Sequence, residues 1–310
     1  KPRKLIIMII NRNNIFNKFK WLKDKNRPFI ISADYDGLAC AAFLSHYMKW
    51  KLTGYYNMEK IWISKYGIEN KKELIWVDLN ILPKSGKSIG GPIGMIDNTN
   101  PSGLNSSCNL NTLRKLTHKN FNQKFPFSTL IFLMWLFKIT IKNNTMSKLL
   151  ILHSDSSWMK IQKYSRNVQQ WIELLGNYDW NHLIKNVDDI NFEKFIDQTF
   201  YPALINLDAS TGFSKLKSKH LGIKSRECRF NPDWDENIIL NLFDLFTQHL
   251  SWSTPELPVI THRINGEKFI ISLDEILKVG LKKFISDNKI FSYAVTSPKK
   301  IKYTIFNPLK

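Results

Sequence analysis

Short apolar runs separated by polar, turn-forming stretches set the rhythm of the first half of the chain, and four of these runs lead into an acid. Residues 29–31 lead through Ser32 and Ala33 to Asp34, with Asp36 and Gly37 following. Residues 74–77 lead to Asp78, 93–96 to Asp97, and 149–152 pass through His153 and Ser154 to Asp155. Amphipathic stretches fill the intervals, and an apolar helix is predicted to begin near Leu38. Apolar strands alternating with helical patterns predict a parallel sheet with crossover helices. Upstream, residues 5–10 read as strand-like, and 16–25 are basic and aromatic at helical spacing. Downstream, Tyr164, Val168, Trp171, Ile172 and Leu175 predict an amphipathic helix within 158–180, and 236–250 reads as another helix. Runs at 269–273 and 301–306 read as strands, and Ile264-Asn265-Gly266-Glu267 as a hairpin turn. The expected fold is α/β: a doubly wound, mostly parallel sheet within residues 1–185, followed by a smaller, basic, helical or α+β region over 186–310.

Acids at strand ends have a direct chemical use. Ligands of open α/β sheets bind at the carboxyl ends of the strands. Asp34 and Asp36, spaced i and i+2, leave the strand on one side and can hold hard cations side by side. The plainer alternative is that they shape a turn and cap the next helix, since Asp is a favoured N-cap. Four apolar runs closing on acids favour convergence along one sheet edge. His153 neighbours Asp155; read on a strand it shares a face with that acid, and a structural histidine is the alternative.

In order and texture these segments resemble the DHH phosphoesterase family. Asp34-Tyr35-Asp36-Gly37, before a helix of small and apolar residues, resembles its first motif, and Asp78 its second. Asp97-Asn98-Thr99 stands where the family has its Asp-His-His. Phe127-Ser128-Thr129-Leu130-Ile131-Phe132 resembles the helix start that follows, and Ser154-Asp155-Ser156-Ser157 the fourth motif. The resemblance covers about residues 28–160. It implies metal-assisted hydrolysis of phosphodiesters on nucleic acid or nucleotides, by cations that acidify a bound water and neutralise phosphoryl oxygens. On that template Asp34, Asp36, Asp78 and Asp155 hold Mn²⁺ or Mg²⁺, Asp97 supports the third-motif loop, and positions 98 and 99 are catalytic. Ser32 occupies the place of a frequent family histidine, and Asn98 and Thr99 replace both histidines of the third motif. The resemblance therefore implies one ion or none, and activity weakened or lost. The alternative is a non-enzymatic descendant of the same fold that binds nucleic acid or serves in a larger assembly. A Gly-Gly-Gly-His-like loop, which marks the C-terminal domain of many members, is absent.

Charge adds a partner. Lys and Arg number 45 against 26 Asp and Glu, a net +19, which favours a polyanion, most simply nucleic acid. An AT-rich coding bias enriches Lys and Asn too, but does not account for the scarcity of acids. The most basic strip holds Lys215, Lys217, Lys219, Lys224, Arg226 and Arg229, a candidate nucleic-acid-binding segment or a solvated loop. Three widely spaced cysteines, Cys40, Cys108 and Cys228, give neither a disulfide framework nor a Cys/His zinc pattern. They indicate a reducing, intracellular compartment, with room for a targeting segment upstream of Lys1. Gly86-Lys87-Ser88 lacks the upstream glycine of a P-loop, position 81 being Ile. No apolar run approaches the length of a membrane span.

Overall fold

The computed structural model describes residues 10–83, 86–141, 144–187, 190–206 and 229–306. It is a mixed α/β structure with a six-stranded, mostly parallel sheet and a second, three-stranded antiparallel sheet. Strand β1 (Pro28–Ser32) lies inside the larger sheet, flanked by β2 (Lys51–Tyr56) and β4 (Ile75–Val77), both parallel to it. Beyond β4 lies β5 (Lys87–Ile89), also parallel. Beyond β2 lie β3 (Lys60–Ser64) and β6 (Ile260–Asn265), each antiparallel to its neighbour.

The path of the chain fixes where a ligand has room. From β1 it passes through α2 (Tyr35–Met48) to β2, then through a tight hairpin to β3. Asn57 closes that hairpin: its Oδ1 accepts from the amides of Glu59 at 3.0 Å and Lys60 at 2.7 Å, an Asx turn. Helix α3 (Lys65–Glu69) then carries the chain to β4, on the opposite side of β1. The strand order reverses between β1 and β4, and a crevice opens at the carboxyl ends of strands at such a reversal.

All five residues of β1 are buried because both faces are covered. Phe29 and Ile31 enter the main core with α2 and α5 (Thr129–Phe137). Ile30 joins Tyr56, Trp76 and Ile63 on the other face, where Phe291 of the smaller sheet and Phe306 just beyond it pack. That sheet has the order β7 (Glu267–Ser272), β9 (Lys300–Ile305), β8 (Ile290–Ser297). It is fastened to the larger one by Tyr56 and Ser292, whose hydroxyls lie 2.5 Å apart. Strand β6 comes from beyond residue 186 yet extends the first sheet at β3, so the two regions of the chain share a sheet. The 236–250 helix is present as Glu236–Leu250 and packs on α2.

The apolar runs do not all become strands. Residues 149–152 lie in α6 (Thr145–His153), capped by Asn144, whose Oδ1 accepts from the Met146 and Ser147 amides. Leu149, Leu150, Ile151 and Leu152 are all buried, and a run buried on every side looks alike as helix or strand. The 93–96 run forms only isolated bridges, Met95 to Thr117 and Ile96 to Thr99. The 158–180 helix is three pieces: α7 (Ser157–Lys163), α8 (Ser165–Leu175) and a short turn of helix at Trp180–Ile184. The 16–25 segment is α1 (Arg12–Lys18) followed by a 3₁₀ turn at Lys20–Lys23, and 5–10 lies almost wholly outside the described residues.

Candidate functional site

Three of the expected acids meet beyond the carboxyl ends of β1 and β4. Asp34 caps α2, its Oδ1 accepting from the Gly37 amide at 3.0 Å. Gly37 is required by packing: a Cβ there would lie 2.1 Å from the Ser32 carbonyl oxygen. Asp36, in the first turn of α2, turns inward to the start of α5. Its Oδ2 accepts from the Thr129 amide at 2.8 Å and its Oδ1 from the Leu130 amide at 3.2 Å, where a helix N-terminus favours negative charge. Asp78 follows β4 in the left-handed backbone region, at φ 64°, which Asp tolerates better than most residues.

Hydroxyl groups bind the three acids into one cluster. Ser32 Oγ lies 2.8 Å from Asp34 Oδ1 and 2.9 Å from Asp78 Oδ2. Thr129 Oγ1 donates to Asp78 Oδ1 at 2.7 Å. A serine hydroxyl has one proton to give, so Ser32 satisfies both acids fully only when one carboxyl carries a proton of its own. Burial and the neighbouring Asp155 and Asp34 push the Asp36 carboxyl up to about 7. Burial, then Asp36, Asp34 and Asp155, push Asp78 well above the usual carboxylate range. The buried Cys40 thiol, 3.8 Å from Asp36, is raised by burial and by the same acids.

Asp155 reaches the cluster by a different route from the strand end expected for it. It stands in a tight left-handed turn after α6, at φ 49°, with Ser156 also left-handed at φ 52°. Ser157 fixes this turn beside α5: its hydroxyl accepts from the Ser128 amide at 3.0 Å and donates to the Ser154 carbonyl at 2.8 Å. Asp155 is half exposed and paired with Lys160, yet its charge acts on both Asp36 and Asp78. His153 does not share its surroundings. It is buried among Tyr35, Phe200 and Tyr201, with neither ring nitrogen hydrogen-bonded among the described residues. Burial lowers its pKa to about 4.

The third-motif residues lie apart from these acids. Ile96 and Thr99 exchange backbone hydrogen bonds at 3.3 and 3.0 Å, making Asp97 and Asn98 the corner of a tight turn. Asp97 is left-handed at φ 48° and pairs with Lys119 at 2.7 Å. That contact holds its carboxyl below the usual range, and its amide donates to His118 Nδ1 at 3.4 Å. Asn98 is exposed and lines a recess of about 400 Å³ with Lys18, Met95, Asn100, Thr112 and Lys115. This lining shares no residue with the carboxylate cluster.

Of the basic strip only Arg229 falls within the described residues; Lys215, Lys217, Lys219, Lys224 and Arg226 lie outside them. Arg229 forms an antiparallel bridge with Asp34, and the Phe230 amide donates to the Ala33 carbonyl at 3.3 Å. The end of the strip is thereby fastened beside Asp34. No protein family, curated protein or solved structure matches the chain.

The donor set suits a hard cation in kind. Among the described residues it offers carboxylate and hydroxyl oxygens and no imidazole, the ligands that Mg²⁺ and Mn²⁺ accept, and its acids repel one another. Its geometry is not a finished ligand shell. Among the described residues no three His, Cys, Asp or Glu side chains stand ready around one point, because the aspartate oxygens are turned to Ser32, Thr129 and the α5 amides. Sequence reasoning passed over Ser32 and Thr129 as site residues. The available signals were the position of Ser32 two residues before Asp34 and the Ser-Thr helix start at 128–129.

Proposed function

We propose that the chain is a DHH-type, phosphoesterase-like protein whose carboxylate cluster takes one hard divalent cation and acts weakly on phosphodiesters of nucleic acid or nucleotides. The observation that supports this most is the meeting of buried Asp36 with the partly buried Asp34 and Asp78 at the strand-order reversal. Repulsion among like charges held away from water is relieved by protons or by a cation. Asp34, Asp36 and Asp78 would hold the ion, and Asp155 would add negative charge nearby. Bound there, it would supply a water of lowered pKa and a counter-charge for phosphoryl oxygens. Ser32 and Thr129 orient Asp78, the α5 amides orient Asp36, and the backbone of Arg229 is bridged to that of Asp34.

Weak turnover is expected because no histidine among the described residues joins the cluster, and Asn98 lines a separate recess. Each missing contact to the metal or phosphate typically removes a few kcal/mol of transition-state stabilisation, so two together cost on the order of 10⁴-fold. The same observation favours the second reading, a descendant that binds nucleic acid without cleaving it or serves in a larger assembly. The test is hydrolysis of a chromogenic phosphodiester with Mn²⁺, for the chain and for Asp36→Asn and Asp78→Asn. Slow metal-dependent turnover that both substitutions abolish supports the enzyme reading. No turnover, or turnover indifferent to both substitutions, overturns it.

A further inference from the structure

Of the four strands at the borders of the two sheets, two are covered and two are bare among the described residues. Strand β5 is covered by the segment leading into α4 (Leu110–Leu113), through the bridge of Ile89 to Cys108, and β8 through the bridge of Ser292 to Ile81. Strands β6 and β7 have one neighbour each, β3 and β9. A bare strand edge offers its amides and carbonyls to another chain, and folded proteins guard such edges with charge. Strand β6 is guarded: Thr261, His262 and Asn265 are polar, and Arg263 is paired with Asp233. Strand β7 is not. Phe269 and Ile270 stand at its middle, 38% and 61% exposed, and the Lys268 ammonium is drawn aside to Glu59 at 2.7 Å.

The register fixes which backbone groups of β7 face outward. The Leu273 amide donates to the Lys299 carbonyl at 2.9 Å, continuing the β7–β9 ladder past the pair of Ser272 with Lys300 without a shift. Backbone groups of successive residues point to alternate sides of a strand in such a ladder. Phe269 and Ile271 therefore turn their amides and carbonyls to β9, and Lys268 and Ile270 turn theirs to the bare side. Side chains directly opposite one another share a face. Ile270 thus lies with Lys302 and Ala294, and Ser272 with Lys300, while Phe269 stacks on Tyr303 across the other face, ring centroids 5.2 Å apart. Lys300 is exposed and Lys302 half-exposed, and neither forms an ion pair among the described residues.

We propose that β7 is a docking edge for an extended segment of another protein in which acids alternate with apolar residues, and which joins the smaller sheet as a fourth strand. Its backbone bonds to the outward groups of Lys268 and Ile270. Its acids lie on the face of Lys300 and Lys302, within the range over which unscreened charges act, and its apolar residues extend the face of Phe269 and Tyr303. A nucleic-acid strand meets the lysines but has no row of amides and carbonyls to match the edge. A second copy of the chain brings the same lysines to the joint, on a molecule of net charge +19 that repels its own kind. The edge belongs to the smaller sheet and requires no divalent ion, so this inference and the function proposed above stand or fall by separate measurements.

The test is fluorescence anisotropy of a labelled peptide of alternating Glu and Val with the full chain in EDTA. A peptide of alternating Lys and Val is the charge control, and two versions of the acidic peptide carry N-methyl groups at every Glu or at every Val. The acidic peptide is expected to bind and the lysine peptide not to. One methylated set points at β7 whichever way the peptide runs, so one version should lose binding while the other keeps it. Ile270→Pro removes an outward amide and leaves the ladder to β9, a position where edge strands tolerate proline; it should weaken the peptide about tenfold or more. Lys302→Gln should weaken it about two- to fivefold, as loss of a cross-strand charge pair does. Unchanged thermal melting verifies the folding of both variants, and the methylated peptides carry the test without any change to the protein. No binding of the acidic peptide, equal binding of the lysine peptide, full affinity of both methylated versions, or full affinity in Ile270→Pro overturns the proposal. So does a dimer of the chain alone in sedimentation that Ile270→Pro disperses, or binding of a single-stranded oligonucleotide that Ile270→Pro abolishes, since these give the edge to a second copy or to nucleic acid.

Discussion

Replacing Asp36 with asparagine tests the carboxylate cluster through stability. Asp36 is buried with its carboxyl pushed up to about 7 by burial, Asp155 and Asp34. Its folded pKa is raised, so the unfolded chain releases the proton first as pH rises. The stabilisation is complete below the unfolded pKa and is lost as pH climbs through the folded one. A rise of about three units corresponds to about 4 kcal/mol lost between roughly pH 4 and pH 7. An asparagine at this position does not titrate, so the stability of the Asp36→Asn variant lacks this component. The amide has only one acceptor for the Thr129 and Leu130 N–H groups, which costs about 1–3 kcal/mol at any pH. The native chain should therefore be the more stable at pH 4.5, with the difference shrinking or reversing by pH 8. Comparing the two chains cancels His153, whose lowered pKa acts in the opposite direction. The assay is urea unfolding in EDTA across this range, repeated with Mn²⁺ or Mg²⁺. A cation bound only to the folded chain adds about 2.7 kcal/mol at a hundredfold excess over its Kd, and should do so in the native chain but not in the Asp36→Asn variant. A stability difference independent of pH would refute the buried-acid reasoning. An equal effect of metal on both chains would refute the cation site.

Three further outcomes follow from the same geometry. Gly37→Ala forces a Cβ against the Ser32 carbonyl oxygen and should cost at least ~1–3 kcal/mol by overpacking; a variant of native stability in urea would contradict the close approach. His153→Leu removes two buried ring nitrogens without partners among the described residues and should raise stability by about 1–3 kcal/mol at pH 7. It should also remove the loss expected as pH falls from about 6.5 towards 4, because the folded-state pKa of the histidine is lowered; a destabilised variant would show that the imidazole has a partner. If the 215–229 strip contacts nucleic acid, affinity for a single strand should fall with salt at a log–log slope of about −0.7 per phosphate contacted. Arg229→Ala should reduce that slope by one contact, and an absence of binding at low salt would refute the polyanion reading.

The elements fixed by local chemistry were legible in the sequence. Asp34 capping a helix of small residues, Ser128 capping α5 through the amide three residues on, and the β1 and β4 runs each declare themselves within a few residues. The approach of Asp34 to Asp78 followed from strand ends, since parallel neighbours place their carboxyl ends on one edge, whereas Asp36 joins them from the first turn of α2. Only the tertiary structure decided the rest. Whether 149–152 formed strand or helix depended on what surrounded it, because a run buried on all sides has no polar face to reveal a period. Asp155 reaches the cluster by a left-handed turn that Ser157 fixes to α5, a contact between segments 29 residues apart. The pairing of β6 with β3 joins parts of the chain some 200 residues apart. The recess that Asn98 lines joins α1 to residues about 80 and 100 positions away. Periodicity and capping are written in neighbouring residues, whereas such meetings depend on the packing of whole elements.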